Sequence, residues 1–452
     1  MQKQRGSITS DVREESPHSH ALPGKTNQFI FRFPNSHDAD YIRVMSESPI
    51  DVNDFNEMRP YSDAELQVAI ERMVQEPMLI KMMKWVYPGL RKTEIIQMFR
   101  EIRNVRQFQE EISAPAVKVI TQMTTSGVSF TNEADIEPSH AYLFISNHRD
   151  IILDSALLNV SLIERGIPTT EIAIGDNLLK LQLVRDIVRC NKNFIVSRDV
   201  NAKEMFYYSL RMSNYIRHTI TEKKTSIWIA QREGRSKDGD DRTATALLKM
   251  FTLSSGNHPE DSLHELNLRP MCVSYEFDPC DLLKANELMH IKHFGKYEKK
   301  SGEDFHSMVT GLTGHKGKVN ICVGKPMNAA YDMMRTVTNK NEKFRILSEA
   351  IDDEMHRIYH LWPNNYIAYD LLNGTREYKD RYSNIQRIAF ANYIRGHILK
   401  LTLGRKKLGL PAENLNAIAR EILLQMYANP VINKRKTEDS TQNLPSLSEH
   451  DA

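Results

Sequence analysis

Polar and ionisable residues cluster in the middle of the chain, where an apolar run gives way to a helical pattern. Residues 141–158 read AYLFISNHRDIILDSALL. In an open α/β sheet, such a strand-to-helix turn lies at the crevice that binds ligands. Histidine is the usual general base near neutral pH, and a carboxylate on its second ring nitrogen fixes its tautomer. The turn therefore predicts a catalytic dyad of His148 with Asp154, or with the nearer Asp150.

The spacing of this pair sets a geometric condition. Residues six apart on one α-helix lie roughly 240° apart around its axis. His148 and Asp154 can therefore meet only if His148 precedes the helix and the chain turns at Arg149 and Asp150. The alternative interpretation is that His148 and Asp154 merely cap and solvate the start of a helix.

Three further segments place charged residues after apolar strands. Residues 193–198 read NFIVSR, residues 227–239 read IWIAQREGRSKDG, and residues 270–277 read PMCVSYEF. Gly234 permits a tight turn, and Arg235 and Lys237 beside backbone donors predict a seat for an anion, most naturally a phosphate. Taken alone, a charged residue such as Arg198 at a strand end would be a surface ion pair or part of a solvated loop.

In order and spacing, the four segments together resemble the sequence blocks of the glycerolipid acyltransferase family, the glycerol-3-phosphate and lysophosphatidate acyltransferases. The family's blocks are NHxxxxD, a Phe-Ile-x-Arg strand, EGTRS or EGGRS, and a proline followed by a β-strand. Here they read NHRDIILD, NFIVSR, EGRS and PMCVSYE, across residues 140–280. His148 and Asp154 are separated by five residues where the family has four, EGRS is one residue shorter, and the second block lacks the family's leading glycine.

The resemblance implies acyl transfer without a covalent enzyme intermediate. His148, backed by Asp154, would take the proton from an acceptor hydroxyl, which then attacks the thioester of acyl-CoA or an acyl carrier protein. We favour Asp154 over Asp150 because the apolar residues around it line up with the family's aspartate. The substrate-binding set that the motifs imply is Asn147, Arg149, Arg198, Glu233, Gly234, Arg235, Ser236 and Lys237. Within that set Arg198, Arg235 and Lys237 would hold the acceptor phosphate, and Glu233 would bind a hydroxyl or orient the arginines.

The same residues also allow other functions. The acceptor could be a non-phosphate lyso-lipid such as an acylated amino acid, or the chain could be a catalytically silent, lipid- or protein-binding member of the fold. A kinase is excluded because His148–Asp150 lacks the accompanying kinase motifs, and residues 311–319, GLTGHKGKV, do not fit a P-loop and predict a flexible turn. The histidines and cysteines show no metal-ligand spacing, so no metal and no cofactor is expected.

The pattern of apolar runs predicts an α/β fold with a central mixed sheet flanked by helices, like that of the glycerol-3-phosphate acyltransferases. Six strands are predicted, at 142–146, 171–175, 194–196, 226–230, 270–275 and 319–323. The predicted organisation is a disordered leader at 1–44, an N-terminal helical subdomain at 45–125, the acyltransferase domain at 126–335, a helical C-terminal extension at 336–434 and a disordered tail at 435–452.

Composition and charge indicate which partners and which cellular compartment to expect. The 452 residues carry 60 Lys and Arg against 58 Asp and Glu, a formal net charge of +2, which argues against a nucleic-acid scaffold. Four cysteines without a disulfide framework, and a start without a signal sequence, predict a cytoplasmic protein. No uncharged stretch exceeds fourteen residues, so the chain is expected to reach its lipid substrates as a peripheral protein on the cytoplasmic face of a membrane. Residues 399–410, where basic residues interleave with leucines, are a candidate interfacial surface. The oligomeric state stays open.

Overall fold

The structure is a computed structural model that describes residues 51, 53–132, 135–197, 202–256, 258–411 and 413–442. The predicted leader at 1–44, the last ten residues of the predicted tail and the predicted phosphate ligand Arg198 lie outside the described residues.

A seven-stranded mixed sheet forms the centre of the described chain. Its strands are β1 Thr125–Thr131, β2 Leu143–Ser146, β3 Glu171–Gly175, β4 Asn193–Val196, β5 Ile227–Ala230, β6 Leu268–Tyr275 and β7 Gly317–Val323. Their order across the sheet is β1-β7-β6-β2-β5-β3-β4, and all neighbours pair in parallel except β6 and β7. The predicted α/β architecture with a mixed sheet is therefore confirmed.

Strand β1 was not predicted from the sequence. It lies at one edge of the sheet, where five of its residues are exposed, and its sequence TSGVSFT offers no apolar run. The register shift between Thr125 and Gly127 bends the strand where it begins. An edge strand needs no apolar residues on both faces, so its pattern resembles that of a polar loop.

Helices precede the sheet. They are α1 Asp63–Met73, α2 Pro77–Val86, α3 Lys92–Glu101, α4 Val105–Gln107 and α5 Ala114–Thr124, with a π-helix at Phe108–Ser113. A capping box begins α1: the Ser62 hydroxyl accepts from the Glu65 backbone N–H at 3.4 Å, and the Glu65 carboxylate accepts from the Ser62 N–H at 2.8 Å. The buried Asp186 carboxylate ties this region to the sheet domain by accepting hydrogen bonds from Tyr61 and Arg72.

The helices that connect successive strands along the chain cover both faces of the sheet. They are α6 Leu153–Glu164, α7 Gln182–Cys190, α8 Ala202–Thr221, α9 Thr245–Phe251, α10 Pro259–His264, α11 Asp281–Phe294 and α12 Glu303–Thr313. Apolar side chains of β2 and β5, such as Leu143, Ile145 and Ile227, pack in one core with Leu347 and Ile351 from the C-terminal part. The flexible turn predicted at 311–317 is wrong: Gly311 lies in α12, and Gly317 begins β7.

The C-terminal part is helical, as α13 Asn328–Arg335, α14 Lys340–Ile358, α15 Pro363–Asn373, α16 Asn384–Leu408 and α17 Leu415–Gln442. Phe390 and Ile394 of α16 share a second core with Leu423 and Tyr427 of α17 and with Met289 of α11. Helix α17 extends to Gln442, so residues 435–442 are helical rather than part of the predicted tail. None of the described helices is long and apolar enough to cross a membrane.

Candidate functional site

His148 lies in the turn between β2 and α6, and Asp154 lies in the first turn of that helix. Nδ1 of His148 and Oδ2 of Asp154 are 2.9 Å apart. The side chain of Asp154 is 1% exposed and that of His148 is 17% exposed, so the imidazole reaches solvent while its partner does not. The chain turns between the two residues, which meets the condition that the spacing set.

The Asp154 carboxylate is held in place by four donors. Its Oδ2 accepts from the backbone N–H groups of Arg149 at 2.6 Å and Asp150 at 3.0 Å, and also faces His148. Its Oδ1 accepts from the Tyr275 hydroxyl at 2.8 Å. Because an ionised carboxylate can only accept, Nδ1 of His148 must carry the proton of the neutral ring. Nε2 of His148 is then the basic nitrogen.

That nitrogen is available for chemistry. Among the described residues, none makes a hydrogen bond to Nε2 of His148. Trp228 on β5 meets the imidazole edge to face, with ring centroids 5.5 Å apart, and holds the plane of the ring. The arrangement presents one fixed basic nitrogen to whatever enters from the solvent side.

Asp150, the rival partner, has a different environment. Its Oδ1 accepts from the backbone N–H groups of Ile152 at 2.9 Å and Leu153 at 2.8 Å, so it caps the start of α6. Its Oδ2 is buried without a hydrogen-bond partner in the described chain, and a Cβ atom on Gly311 would lie 2.0 Å from it. Burial, and then the nearby Asp154 carboxylate, raise the pKa of Asp150. Asp150 shapes the turn rather than contacting His148.

Asn147 and Arg149 point into the protein. The Asn147 amide donates to the Val273 carbonyl at 3.1 Å and accepts from the Val273 N–H at 2.8 Å, which fixes the turn to β6. The Arg149 guanidinium donates to Asp241 at 2.6 Å, and both side chains are buried. The amide and the guanidinium, predicted to bind substrate, are therefore engaged with the protein itself. A buried arginine requires a buried anion, and the sequence could not say which carboxylate supplies it.

The segment EGRS lies against the histidine turn. The backbone N–H of Ser236 donates to the His148 carbonyl at 2.7 Å. Gly234 has φ +73°, a left-handed conformation that suits glycine, and Glu233 is exposed beside it. The Ser236 hydroxyl is buried and accepts from Arg232 at 3.2 Å. The structure thus brings the first and third blocks together.

The two predicted cations of this segment differ. Lys237 is in an ion pair with Glu287 of α11, at 2.7 Å. Arg235 is half-buried, and its buried Nη1 makes no hydrogen bond within the described residues. The pKa of the Asp304 carboxyl, at the start of α12, is lowered overall. Burial is the largest single influence and raises that pKa, whereas the hydrogen bond and charge of Lys299 and, less strongly, the charge of Arg235 lower it. Arg235 is thus the cation of this pair whose hydrogen-bonding capacity is left over for a ligand.

Sequence reasoning missed three residues that shape the site. These are Tyr275, which contacts Asp154; Asp241, which neutralises Arg149; and Lys284 on α11, which is 2% exposed and donates to the Arg149 carbonyl at 2.8 Å. Tyr275 was within a predicted strand, but nothing in one sequence pairs it with Asp154. In the part of the chain that the structure describes, no group of three His, Cys, Asp or Glu residues is placed to hold a metal ion.

Comparison with known proteins identifies the central region. Residues 127–252 match the family model described as Acyltransferase. These residues, somewhat more than a quarter of the chain, are similar to an acyltransferase domain. The match agrees with the acyltransferase resemblance that the sequence blocks indicated, over these residues. The matched residues include the His148–Asp154 pair and EGRS, whereas Tyr275, Lys284 and Gly311 complete the site from outside them.

Solved structures give a more distant comparison. The chain is similar to the crystal structure of the 1-acyl-sn-glycerophosphate acyltransferase PlsC from Thermotoga maritima, at 12% identity over 64% of this chain and 92% of that one. The TM-score is 0.30, too low to inform the substrate. No curated protein sequence matches the chain.

Proposed function

We propose that the chain transfers a fatty acyl group from an acyl thioester, either acyl-CoA or acyl-ACP, to a hydroxyl of glycerol-3-phosphate or 1-acylglycerol-3-phosphate. The observation that carries the proposal is the 2.9 Å contact of His148 with Asp154 inside an acyltransferase domain, with Nε2 left accessible. The acylated product is a membrane lipid, so the proposed place of reaction is the cytoplasmic face of a membrane. No cofactor is needed beyond the acyl thioester as co-substrate.

The chemistry follows from the dyad. Nε2 of His148 accepts the proton of the acceptor hydroxyl while its oxygen attacks the thioester carbonyl carbon. The tetrahedral intermediate then collapses, the C–S bond breaks, and the leaving sulfur takes the proton back from the imidazolium. Asp154 stabilises the imidazolium and keeps Nδ1–H directed at itself. A positioned base of this kind contributes roughly a hundred- to ten-thousandfold in rate.

The phosphate of the acceptor is assigned to Arg235. Its guanidinium has an unused buried donor, and its segment is bonded through Ser236 to the turn that carries His148. A guanidinium binds phosphate with two parallel hydrogen bonds. Arg198 is a second candidate on the family resemblance alone. Lys237 is the weaker candidate because Glu287 already neutralises it.

A non-phosphate acceptor is the second candidate function. The ion pair of Lys237 with Glu287 favours it, since it leaves one fewer free cation beside the dyad. A catalytically silent, lipid-binding protein is disfavoured, because such a protein would have no need to hold a histidine against a carboxylate that four donors fix.

An acceptor screen tests the proposal. Thiol release from acyl-CoA and acyl-ACP is measured with glycerol-3-phosphate, 1-acylglycerol-3-phosphate and a lyso-amino-acid lipid as acceptors. We expect turnover with a phosphorylated acceptor, reduced at least about a hundredfold in His148→Ala. His140→Ala, which alters an exposed histidine in an ion pair with Glu137, is the matched control and should retain activity. Wild-type protein without turnover on any acceptor, or active His148→Ala protein, would contradict the proposal.

The phosphate assignment has its own test. Arg235→Gln should raise KM for the phosphorylated acceptor about tenfold or more while leaving KM for the acyl donor unchanged. Arg232→Gln is the matched control, because Arg232 is in the same segment and already pairs with Asp238 and Ser236. Equal changes in both KM values, or full activity on a neutral acceptor only, would support the non-phosphate alternative.

A further inference from the structure

Helix α16 carries an unusual balance of charge. Its 25 residues include Arg387, Arg395, Lys400, Arg405, Lys406 and Lys407 and no Asp or Glu. The whole chain has a formal net charge of only +2, so the rest of the chain is net negative. None of the six basic residues forms an ion pair with a described acidic residue. The helix is therefore a local positive surface that the protein does not neutralise itself.

The same helix exposes large aliphatic side chains. Ile385 is 80% exposed, Ile388 60%, Leu399 56% and Leu403 76%. The opposite face is buried in the C-terminal core through Phe390, Ile394, His397 and Leu401. The helix is thus apolar on two sides, of which the protein covers one.

The exposed aliphatic residues form a stripe. At about 100° per residue, Ile385, Ile388, Leu399 and Leu403 fall within roughly 60° of arc, and the stripe runs for about 27 Å along the helix. The same rotation puts Arg395 and Lys406 along one side of the stripe. It puts Lys400 and Lys407 along the other side. A narrow apolar stripe bordered by cations on both sides is the pattern of a helix that lies in a membrane interface.

This surface differs from the stretch 399–410 that the sequence indicated. Leu401 is 1% exposed and Leu410 is 5% exposed, so both belong to the protein core. Ile385 and Ile388, which precede Leu403 by 18 and 15 residues, belong to the exposed stripe instead. The C-terminal half of α16 supplies most of the charge, and the N-terminal end extends the apolar contact.

Helix α11 links this surface to the dyad. Its residue Lys284 donates to the Arg149 carbonyl, next to His148, and its residue His290 contacts the Leu408 carbonyl at the end of α16 at 2.6 Å. Six residues of helix, about 9 Å, separate these two contacts. Glu287, between them, pairs with Lys237 of the EGRS segment. The basic end of α16 therefore lies beside the site.

We propose that the α16 stripe, Ile385, Ile388, Leu399 and Leu403 with its bordering cations, binds the surface of an anionic phospholipid bilayer. Aliphatic side chains enter the boundary between headgroups and acyl chains, and the lysines and arginines contact anionic headgroups. The absence of any acidic residue on the helix is what selects an anionic bilayer over a neutral one. The inference does not depend on acyl transfer, since it concerns binding alone.

Flotation with lipid vesicles tests the inference, with the purified full chain and no substrate. We expect binding to vesicles of phosphatidylcholine mixed with phosphatidylglycerol, little binding to phosphatidylcholine alone, and release by high salt. Leu399→Ser/Leu403→Ser should weaken binding by on the order of tenfold, because two interfacial contacts are lost. Lys406→Gln/Lys407→Gln should weaken it by a similar factor on the anionic vesicles only.

Matched controls separate the stripe from general surface properties. Val68→Ser/Met333→Ser removes two aliphatic side chains of similar exposure, 59% and 58%, on α1 and α13. Lys180→Gln/Lys325→Gln removes two exposed lysines elsewhere. Both control variants should bind like wild type. Circular dichroism and thermal unfolding should match wild type for all four variants, because every altered side chain is exposed.

Three outcomes would overturn the inference. They are no binding of wild-type protein to anionic vesicles, equal loss in the stripe and control variants, and a stripe variant that changes only the oligomeric state in size-exclusion chromatography. The last outcome would indicate that the stripe binds a protein. Vesicle binding by a protein that transfers no acyl group would contradict the proposed function and leave this inference standing.

Discussion

The Tyr275 hydroxyl donates a hydrogen bond of 2.8 Å to Oδ1 of Asp154, across 121 residues of chain. Burial, followed by the charge of Asp154, raises the pKa of Tyr275 well above its usual value of 10, so the phenol stays protonated and remains a donor. Oδ2 of the same carboxylate serves His148 and two backbone N–H groups. Tyr275 is therefore a positioning residue, which fixes the rotation of the carboxylate that holds the imidazole.

Tyr275→Phe should lower kcat by about tenfold and leave both KM values near those of wild type. The variant loses one hydrogen bond to a charged group, whose contribution is about 1.5–3 kcal/mol, and part of that loss falls on the positioning of His148. Steady-state kinetics with both substrates varied is the measurement. Tyr331→Phe is the control, because Tyr331 is also buried but bonds to the Leu263 carbonyl. A change in KM alone, with kcat unaffected, would contradict the positioning role.

The two aspartates of the turn should behave differently. Asp154→Asn replaces an acceptor of four hydrogen bonds with a group that can accept at one oxygen only, so we expect kcat to fall at least about a hundredfold. Asp150→Asn keeps an acceptor for the backbone N–H groups of Ile152 and Leu153, and asparagine caps helices as well as aspartate does. Its kcat should stay within about tenfold of wild type. Equal losses in the two variants, measured as thiol release, would contradict the assignment of Asp154 as the partner.

Burial decides which elements could be predicted from the sequence. The six predicted strands each contain an apolar run of three or more residues, and the structure has all six. Strand β1 escaped prediction because an exposed edge leaves no apolar pattern. In α12, the glycine that suggested a turn is a packing requirement, since Gly311 lies against Asp150. Glycine occurs both in tight turns and at close packing contacts, and a single sequence does not distinguish between the two.

The candidate site divides in a similar way. His148 and Asp154 are close in sequence, so turn geometry alone could pair them. Asp241 and Tyr275 reach the same turn from 92 and 121 residues away, a distance over which a single sequence gives no pairing. Asn147 and Arg149 have residue types that often bind ligands, yet Asn147 bonds to the Val273 backbone of β6 and Arg149 bonds to the Asp241 carboxylate. Residue type alone does not distinguish a side chain that binds substrate from one that bonds to the protein interior, because both need the same polar groups.

Gly311→Ala should destabilise the protein although alanine normally favours a helix by about 1 kcal/mol. The added Cβ would lie 2.0 Å from Oδ2 and 3.0 Å from Cγ of Asp150, so either the turn or α12 must move. We expect the free energy of unfolding to fall by about 1–3 kcal/mol and kcat to fall with it. Gly396→Ala is the matched control: Gly396 is also helical, and nothing lies within 4 Å of its added Cβ. Urea unfolding should show that variant to be as stable as wild type or more stable.

Stability should depend on pH through Asp352 of α14. Its Oδ1 accepts from the Thr243 N–H at 2.7 Å, and burial raises its pKa from 3.8 to about 6. Because the folded pKa lies above the unfolded one, the folded state binds the proton more tightly. Stability from this group is therefore full below about pH 3.8 and is lost as the pH rises through about 6, by up to about 3 kcal/mol. Asp352→Asn retains an acceptor for Thr243 and cannot ionise.

Relative to wild type, Asp352→Asn should therefore gain stability between about pH 4 and about pH 7.5, by roughly 1–3 kcal/mol. Urea unfolding at a series of pH values measures the free energy of unfolding of both proteins. In the difference between the two values, the contributions of the titrating groups that both proteins share cancel. Asp353→Asn is the control, because Asp353 is the next residue of the same helix and its carboxylate is exposed and accepts from the Thr437 hydroxyl. A difference between Asp352→Asn and wild type that stays constant with pH would show that the buried carboxyl does not titrate in this range.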